Sequence, residues 1–82
     1  MCFGIPGLIV ELVDAEKQVG RVEVSGVMRT IHFGLLEAEE VQTGTWVLIN
    51  AGLAIRSLAA DEASQILQCI EELDRQFEET QT

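Results

Sequence analysis

The apolar positions of the chain fall into short runs separated by turn residues, and only near the C-terminus does their spacing lengthen. Leu8 to Val13 is rich in branched apolar residues and predicts a strand, with Asp14 to Gln18 as the polar turn after it. Val19 to Val24 alternates: Val22 and Val24 share one face, Arg21 and Glu23 the other, which is the period-2 pattern of a half-buried strand. Ser25-Gly26 marks a tight turn, because glycine tolerates positive φ. Val27 to Phe33 is then the return strand, with Ile31 and Phe33 on one face and Met28, Thr30 and His32 opposite. Glu37 to Thr43 forms an acidic loop ending at Gly44. Trp46 to Ala51 is apolar on both faces, as in a central strand covered twice. Gly52 marks a bend or bulge, and Leu53 to Leu58 continues the sheet.

From Asp61 the period changes. Asp61 reads as an N-cap, and Glu62 adds favourable charge to the helix N-terminus. Ala63, Ile66, Leu67, Ile70, Leu73 and Phe77 follow i, i+3, i+4, i+7 spacing, one apolar stripe about 100° wide. The helix must bury that stripe against the sheet or a partner. One domain spans 1–82: an N-terminal arm over 1–7, where Gly4, Pro6 and Gly7 disfavour regular structure, a β-barrel over 8–58 and a helix over 61–79. The class is mainly β, a small OB-like β-barrel with one C-terminal α-helix.

Composition narrows the function. Eighty-two residues make one domain, too small for a large catalytic cleft with its own substrate domain. Apolar residues form 48% of the chain, which excludes disorder. Fourteen acidic residues against five basic ones give a net charge of −9, the wrong sign for gripping phosphates, so nucleic acid is not an expected partner. The C-terminal segment 61–82 carries seven of the carboxylates and one of the cations. The run from Trp46 to Ile55 contains Asn50 and is about half the ~18 residues a spanning helix needs, so no membrane segment is expected. The N-terminus lacks the basic region and cleavage site of a signal peptide. A cytoplasmic protein is expected, with Cys2 and Cys69 reduced rather than paired.

The chemistry concentrates at the N-terminus, Met1-Cys2-Phe3-Gly4-Ile5-Pro6-Gly7. A small second residue permits removal of Met1, and the mature chain then begins at Cys2. Its α-amine and thiol lie on one residue and can chelate a metal or act as a nucleophile. An adjacent ammonium lowers a thiol pKa, whereas the acidic surroundings raise it. Thiolate suits iron, copper(I) or zinc, but a single thiolate is an incomplete site. An enzyme using Cys2 as nucleophile needs a positioned base and an oxyanion site; with one histidine and no tyrosine, the chain is not expected to be an enzyme. Arg29 shares the face of Ile31 and Phe33, so it either snorkels at the barrel rim or anchors an acidic partner. Trp46 reads as core, Cys69 as a buried inert thiol at the edge of the helix stripe, and His32 as an ordinary exposed residue. Glu37, Glu39 and Glu40 read as a solvated turn, and Glu71, Glu72, Asp74, Glu78 and Glu79 as a solvated helix face, with charge complementarity in docking as the alternative.

The N-terminal motif resembles the opening signature of the HypC/HupF family of hydrogenase maturation chaperones. Val22-Glu23-Val24-Ser25-Gly26-Val27-Met28-Arg29 is similar to that family's strand, turn and arginine. The block Gly44-Thr45-Trp46-Val47-Leu48-Ile49-Asn50-Ala51-Gly52-Leu53-Ala54-Ile55 resembles its second signature, and Asp61-Glu62-Ala63 resembles its helix start. The resemblance implies a small barrel with a C-terminal helix, acting in maturation of the nickel–iron hydrogenase large subunit. It implies a HypD-type scaffold and the large-subunit precursor as partners, and transient iron, as the Fe(CN)2CO unit, as cargo rather than a permanently bound cofactor. It assigns Cys2 to partner binding and as a candidate iron ligand, and gives Gly4, Pro6 and Gly7 the shaping of the arm. Asn50 stands where the family usually has histidine. A neutral amide is a weak iron ligand, so Asn50 is expected to hydrogen-bond the arm or the partner. A specialised paralogue that guards the large-subunit precursor without carrying iron is the alternative.

Overall fold

The computed structural model describes residues 4–81, with side-chain surroundings defined for 4–73. Five strands close into a barrel: β1 (Ile5–Asp14), β2 (Val19–Val24), β3 (Val27–His32), β4 (Trp46–Asn50) and β5 (Leu53–Leu58). A single turn of 3₁₀ helix (Ala38–Glu40) sits between β3 and β4, and α1 (Ala60–Gln81) follows β5. Around the barrel the order is β1-β2-β3-β5-β4, with β4 closing back on β1. This is the expected OB-type arrangement.

The alternation read from the sequence points the predicted residues inward. Ile9, Val22, Ile31, Phe33, Leu36, Val47, Ile49 and Ala54 form the core, while Arg21, Glu23, Met28, Thr30 and His32 face outward. Buried Gly20 makes room for the largest of these side chains. A Cβ there would meet Phe33 Cε2 at 2.6 Å and the Glu11 carbonyl oxygen at 2.6 Å. The outer faces of β1 and β4 lie under α1, so Trp46 and Leu48 are half-buried outside while Val47 and Ile49 are buried inside. β4 is thus covered on both faces, as expected.

Two boundaries and one burial differ from the sequence expectation. First, β1 begins at Ile5, inside the segment assigned to the arm, and Ile5, Pro6, Gly7 and Leu8 pair with Ile49, Leu48, Val47 and Trp46. Pro6 is tolerated because of the direction its missing N–H would take. The Ile9 N–H donates to the Thr45 carbonyl at 3.0 Å, so by the two-residue period Ile5 and Gly7 also bond towards β4. Pro6 faces the other edge, where β2 pairs only from Leu8 onward. Second, α1 starts at Ala60, so Asp61 lies inside its first turn and is not the N-cap. Glu62 does the capping: its carboxylate accepts the Ala59 N–H at 3.2 Å and lies 3.5 Å from Arg56 Nη1, the reaching-back half of a capping box. Third, Cys69 is exposed, not buried. At 100° per residue it lies about 120° around the helix from buried Ala63, outside the strip that meets the barrel. The stripe itself empties outward: Ile66, Leu67 and Ile70 are half-buried and Leu73 is exposed. Asp74, Phe77, Glu78 and Glu79 lie beyond the residues whose side chains are described.

The turn predicted at Gly26 is a two-residue hairpin, and so is the site at Gly52, where the sequence predicts a bend or bulge; φ is positive at both central positions of each, Ser25 (51°) with Gly26 (82°) and Ala51 (54°) with Gly52 (78°). This is type I′ geometry, which matches the strand twist. Ala51 accepts a left-handed conformation that costs a residue with a Cβ about 1–2 kcal/mol. Ala51→Gly is therefore expected to raise stability by about 0.5–1 kcal/mol, once the extra freedom of glycine in the unfolded chain is deducted. The midpoint of a urea unfolding curve reads this directly, and a lowered midpoint would show that the turn is not strained.

Candidate functional site

The residues singled out in the sequence separate into three environments. Gly4, Arg29 and Asn50 line one open depression of about 820 Å³ at the end of the barrel where β1 begins. Its walls are apolar, from Ile5, Val24, Ile31 and Ile49, and its polar side chains are Arg29, Thr30 and Asn50. Gly4 is there because β1 lies tightly on β4 at this point: a Cβ at Gly4 would sit 2.7 Å from the Ile49 carbonyl oxygen. Asn50 is held at the rim as the last residue of β4, immediately before the strained Ala51-Gly52 turn.

Pro6 and Gly7 belong elsewhere. Gly7 is buried inside the barrel, where a Cβ would meet Val22 Cγ1 at 2.4 Å and Ile49 Cδ1 at 2.6 Å. It is small because the core is full at that level. Pro6 is buried on the outer face, in a cleft of about 430 Å³ shared with Trp46 and with Leu67 of α1. Both residues fix the root of the N-terminal segment rather than extend its reach. Cys2 lies outside the described residues. One residue, Phe3, separates it from Gly4, and the two steps of chain span at most ~7 Å.

Arg29 is opposite buried Val22 in the β2·β3 ladder and itself exposed in the mouth. Among the described residues the one ion pair is Arg56 with Glu62, so the Arg29 guanidinium faces no carboxylate there. His32 is exposed, and its Nδ1 accepts the Gly34 N–H at 3.2 Å; it does not line the depression. The described residues contain no cluster of three or more histidine, cysteine or acidic side chains that could hold a metal, and no helix long and apolar enough to cross a membrane. The acidic loop is more than a solvated turn. The Ser57 hydroxyl donates to the Glu40 carboxylate, and the same side chain accepts the Glu37 N–H at 3.0 Å. These two hydrogen bonds hold the Glu40 carboxyl below its usual range, that from Ser57 being the stronger influence. The clasp ties the loop to β5.

Arg29 apart, the residues that sequence reasoning passes over are those of the β3 edge. Val27, Met28, Arg29 and Thr30 are exposed in succession, where a half-buried strand would alternate. The cause is tertiary. β3 meets β5 at a single pair, His32 with Leu53, and nothing in the local pattern of either strand announces so short a junction.

The class defined by this geometry is a small OB-type barrel that presents its N-terminal segment beside an open, half-apolar mouth lined by an arginine and an amide. A model of the HupF/HypC family matches residues 1–70. The hydrogenase maturation factor HypC of Cupriavidus necator is 37% identical over 75 residues, covering 92% of this chain and 79% of its own. HypC of Rhodobacter capsulatus is 33% identical over 75 residues, 89% and 78% of the two chains. The hydrogenase maturation factor HybG of Escherichia coli K12 is 32% identical over 76 residues, 90% and 93%. The chain belongs to the HupF/HypC family.

Proposed function

We propose that this protein is a hydrogenase maturation chaperone of the HypC/HybG type. It binds a HypD-type scaffold and the precursor of the nickel–iron hydrogenase large subunit in the cytoplasm, during assembly and delivery of the Fe(CN)2CO unit. It acts by forming complexes, not by turnover. The observation that carries the reading is the grouping of Gly4, Arg29 and Asn50 in one mouth, two residues of chain from Cys2. The names of the relatives support the process.

In this reading Cys2 is the contact residue and the protein's own ligand to the iron cargo. Among the described residues the lining of the mouth supplies no thiolate, imidazole or carboxylate, and an amide is a poor iron ligand, so the remaining ligands come from the scaffold. Asn50 and Arg29 act as hydrogen-bonding groups towards the partner. That same lining favours a second reading, in which the protein guards the large-subunit precursor and does not carry iron.

Infrared spectroscopy of the protein co-purified without oxygen with its scaffold partner decides between them. Cyanide and carbon monoxide stretches on a stable complex are the expected result. A stable complex lacking those bands, where a histidine-bearing relative shows them, supports the guarding role. No complex with either partner overturns both.

A further inference from the structure

The barrel is closed on four of its five seams by ladders of four or more residue pairs, and on the fifth by one. That fifth seam, between β3 and β5, opens into the mouth. The His32 N–H donates to the Gly52 carbonyl at 3.1 Å, away from β2. With the two-residue period of an antiparallel ladder, Thr30 and Met28 turn their N–H and C=O groups to the same edge. Among the described residues no strand pairs with either. The edge has no proline, no bulge and no lysine, and its one charged side chain is Arg29. Met28 and Val27 beside it are each about half exposed. An unpaired edge running along an open, half-apolar depression is the geometry that accepts an extended segment as an added strand.

We infer that the Met28–Thr30 edge of β3 docks an extended segment of a partner protein as an additional strand, with an acidic side chain of that segment set against Arg29. The choice of occupant follows from charge. Arg29 is a cation in a protein of net charge −9, it faces no carboxylate among the described residues, and it lies on the barrel-facing side of β3 with Ile31. A strand lying in the seam places its own barrel-facing residues against Ile5, Ile31 and Ile49 and its residue opposite Arg29 within cross-strand reach. The segment recognised therefore alternates, with apolar residues facing inward and one carboxylate at the level of Arg29. Main-chain bonds to Met28 and Thr30 supply affinity, and the guanidinium supplies register. The identity of the partner rests on the function proposed above.

Amide hydrogen exchange on the full chain, free and in complex with the large-subunit precursor, tests this. The amides of Arg29 and Ile31 point to β2 and are protected in both states. Those of Met28 and Thr30 are expected to exchange fast in the free protein and to slow at least about tenfold in the complex. Thr30→Pro removes an edge N–H that β2 does not use, and is expected to weaken the complex about tenfold with the far-ultraviolet spectrum unchanged; Arg29→Glu is expected to weaken it similarly. A stable complex in which Met28 and Thr30 stay fast overturns strand addition while leaving the chaperone function standing. Protection already present in the free, dilute protein assigns the edge to the chain's own N-terminal segment, and protection that grows with protein concentration assigns it to a second copy. Either overturns the proposal. Failure to form any complex overturns the function and this inference together.

Discussion

Phe33→Ala is expected to leave the chain close to its unfolding threshold. Phe33 is the largest fully buried side chain, 1% exposed, and it holds together parts of the chain that are distant in sequence. Its ring lies on Gly20 of β2, and its N–H donates to the Gln18 carbonyl at 2.7 Å, fixing the end of the β1–β2 turn. It also walls an apolar cavity of about 210 Å³ with Leu12, Leu36 and Val41. Truncating a buried phenylalanine costs about 3–5 kcal/mol. A domain of 82 residues has roughly 4–12 kcal/mol in total at ordinary stability per residue. The existing pocket would merge with the space left by the ring, which puts the expected loss towards the upper end. Chemical denaturation measures it. A loss below about 1 kcal/mol would mean that the barrel end near Phe33 is not part of the cooperative core.

Cys2→Ala is expected to have the largest functional effect with no structural one. Among the described residues barrel pairing starts at Ile5, three residues after Cys2, so the ladders and core of the described barrel do not depend on the substituted side chain. The melting temperature should not change. Affinity for the scaffold and for the large-subunit precursor should fall at least about a hundredfold, roughly 2.7 kcal/mol, because the thiol is the one group the mouth cannot replace from its own lining. Cys69→Ser is the control. Its thiol is exposed on α1, outside the strip of the helix that meets the barrel, and its loss should leave binding unchanged. Titration of each variant into labelled partner separates the two cysteines. Equal binding by Cys2→Ala and the parent chain would overturn the chaperone reading at its centre.

Much of the barrel was legible in the sequence, and the limits have physical causes. Val19–Val24 could be read to the residue because its alternation is clean and a two-residue turn follows. Leu53–Leu58 could be read because Gly52 precedes it and the change of period follows. The start of β1 could not, since Gly4, Pro6 and Gly7 are poor strand formers by local rule. They are acceptable only because β4 packs tightly on one side and β2 leaves the other side free at Pro6. Asp61 has the better side chain for an N-cap, but the helix starts one residue earlier and Glu62 reaches the Ala59 N–H from within it. Cys69 falls at the edge of a regular stripe, and only the narrow contact of helix with barrel shows that the edge is bare.

The candidate site was half legible. Gly4, Arg29 and Asn50 each carried a signal, but their meeting in one mouth depends on closure of β4 against β1. The open seam carried none, because it is a missing partner and not a residue type.

That closure has a consequence for how the protein comes into being. Among the described residues Ile5 to Gly7 pair only with Val47 to Ile49, so the start of β1 has no strand to pair with until the fourth strand has been made. At 5–20 residues/s, translation leaves it unpaired for roughly 2–10 s after the N-terminus is synthesised. The β1–β2–β3 meander can form in the meantime from neighbours in sequence, whereas joining the two ends of the barrel is a long-range, slower event. Gly4 thus comes to lie with Asn50 and Arg29 only on a finished barrel. A nascent or truncated chain would carry the thiol without the mouth, and could not compete with completed molecules for the partner.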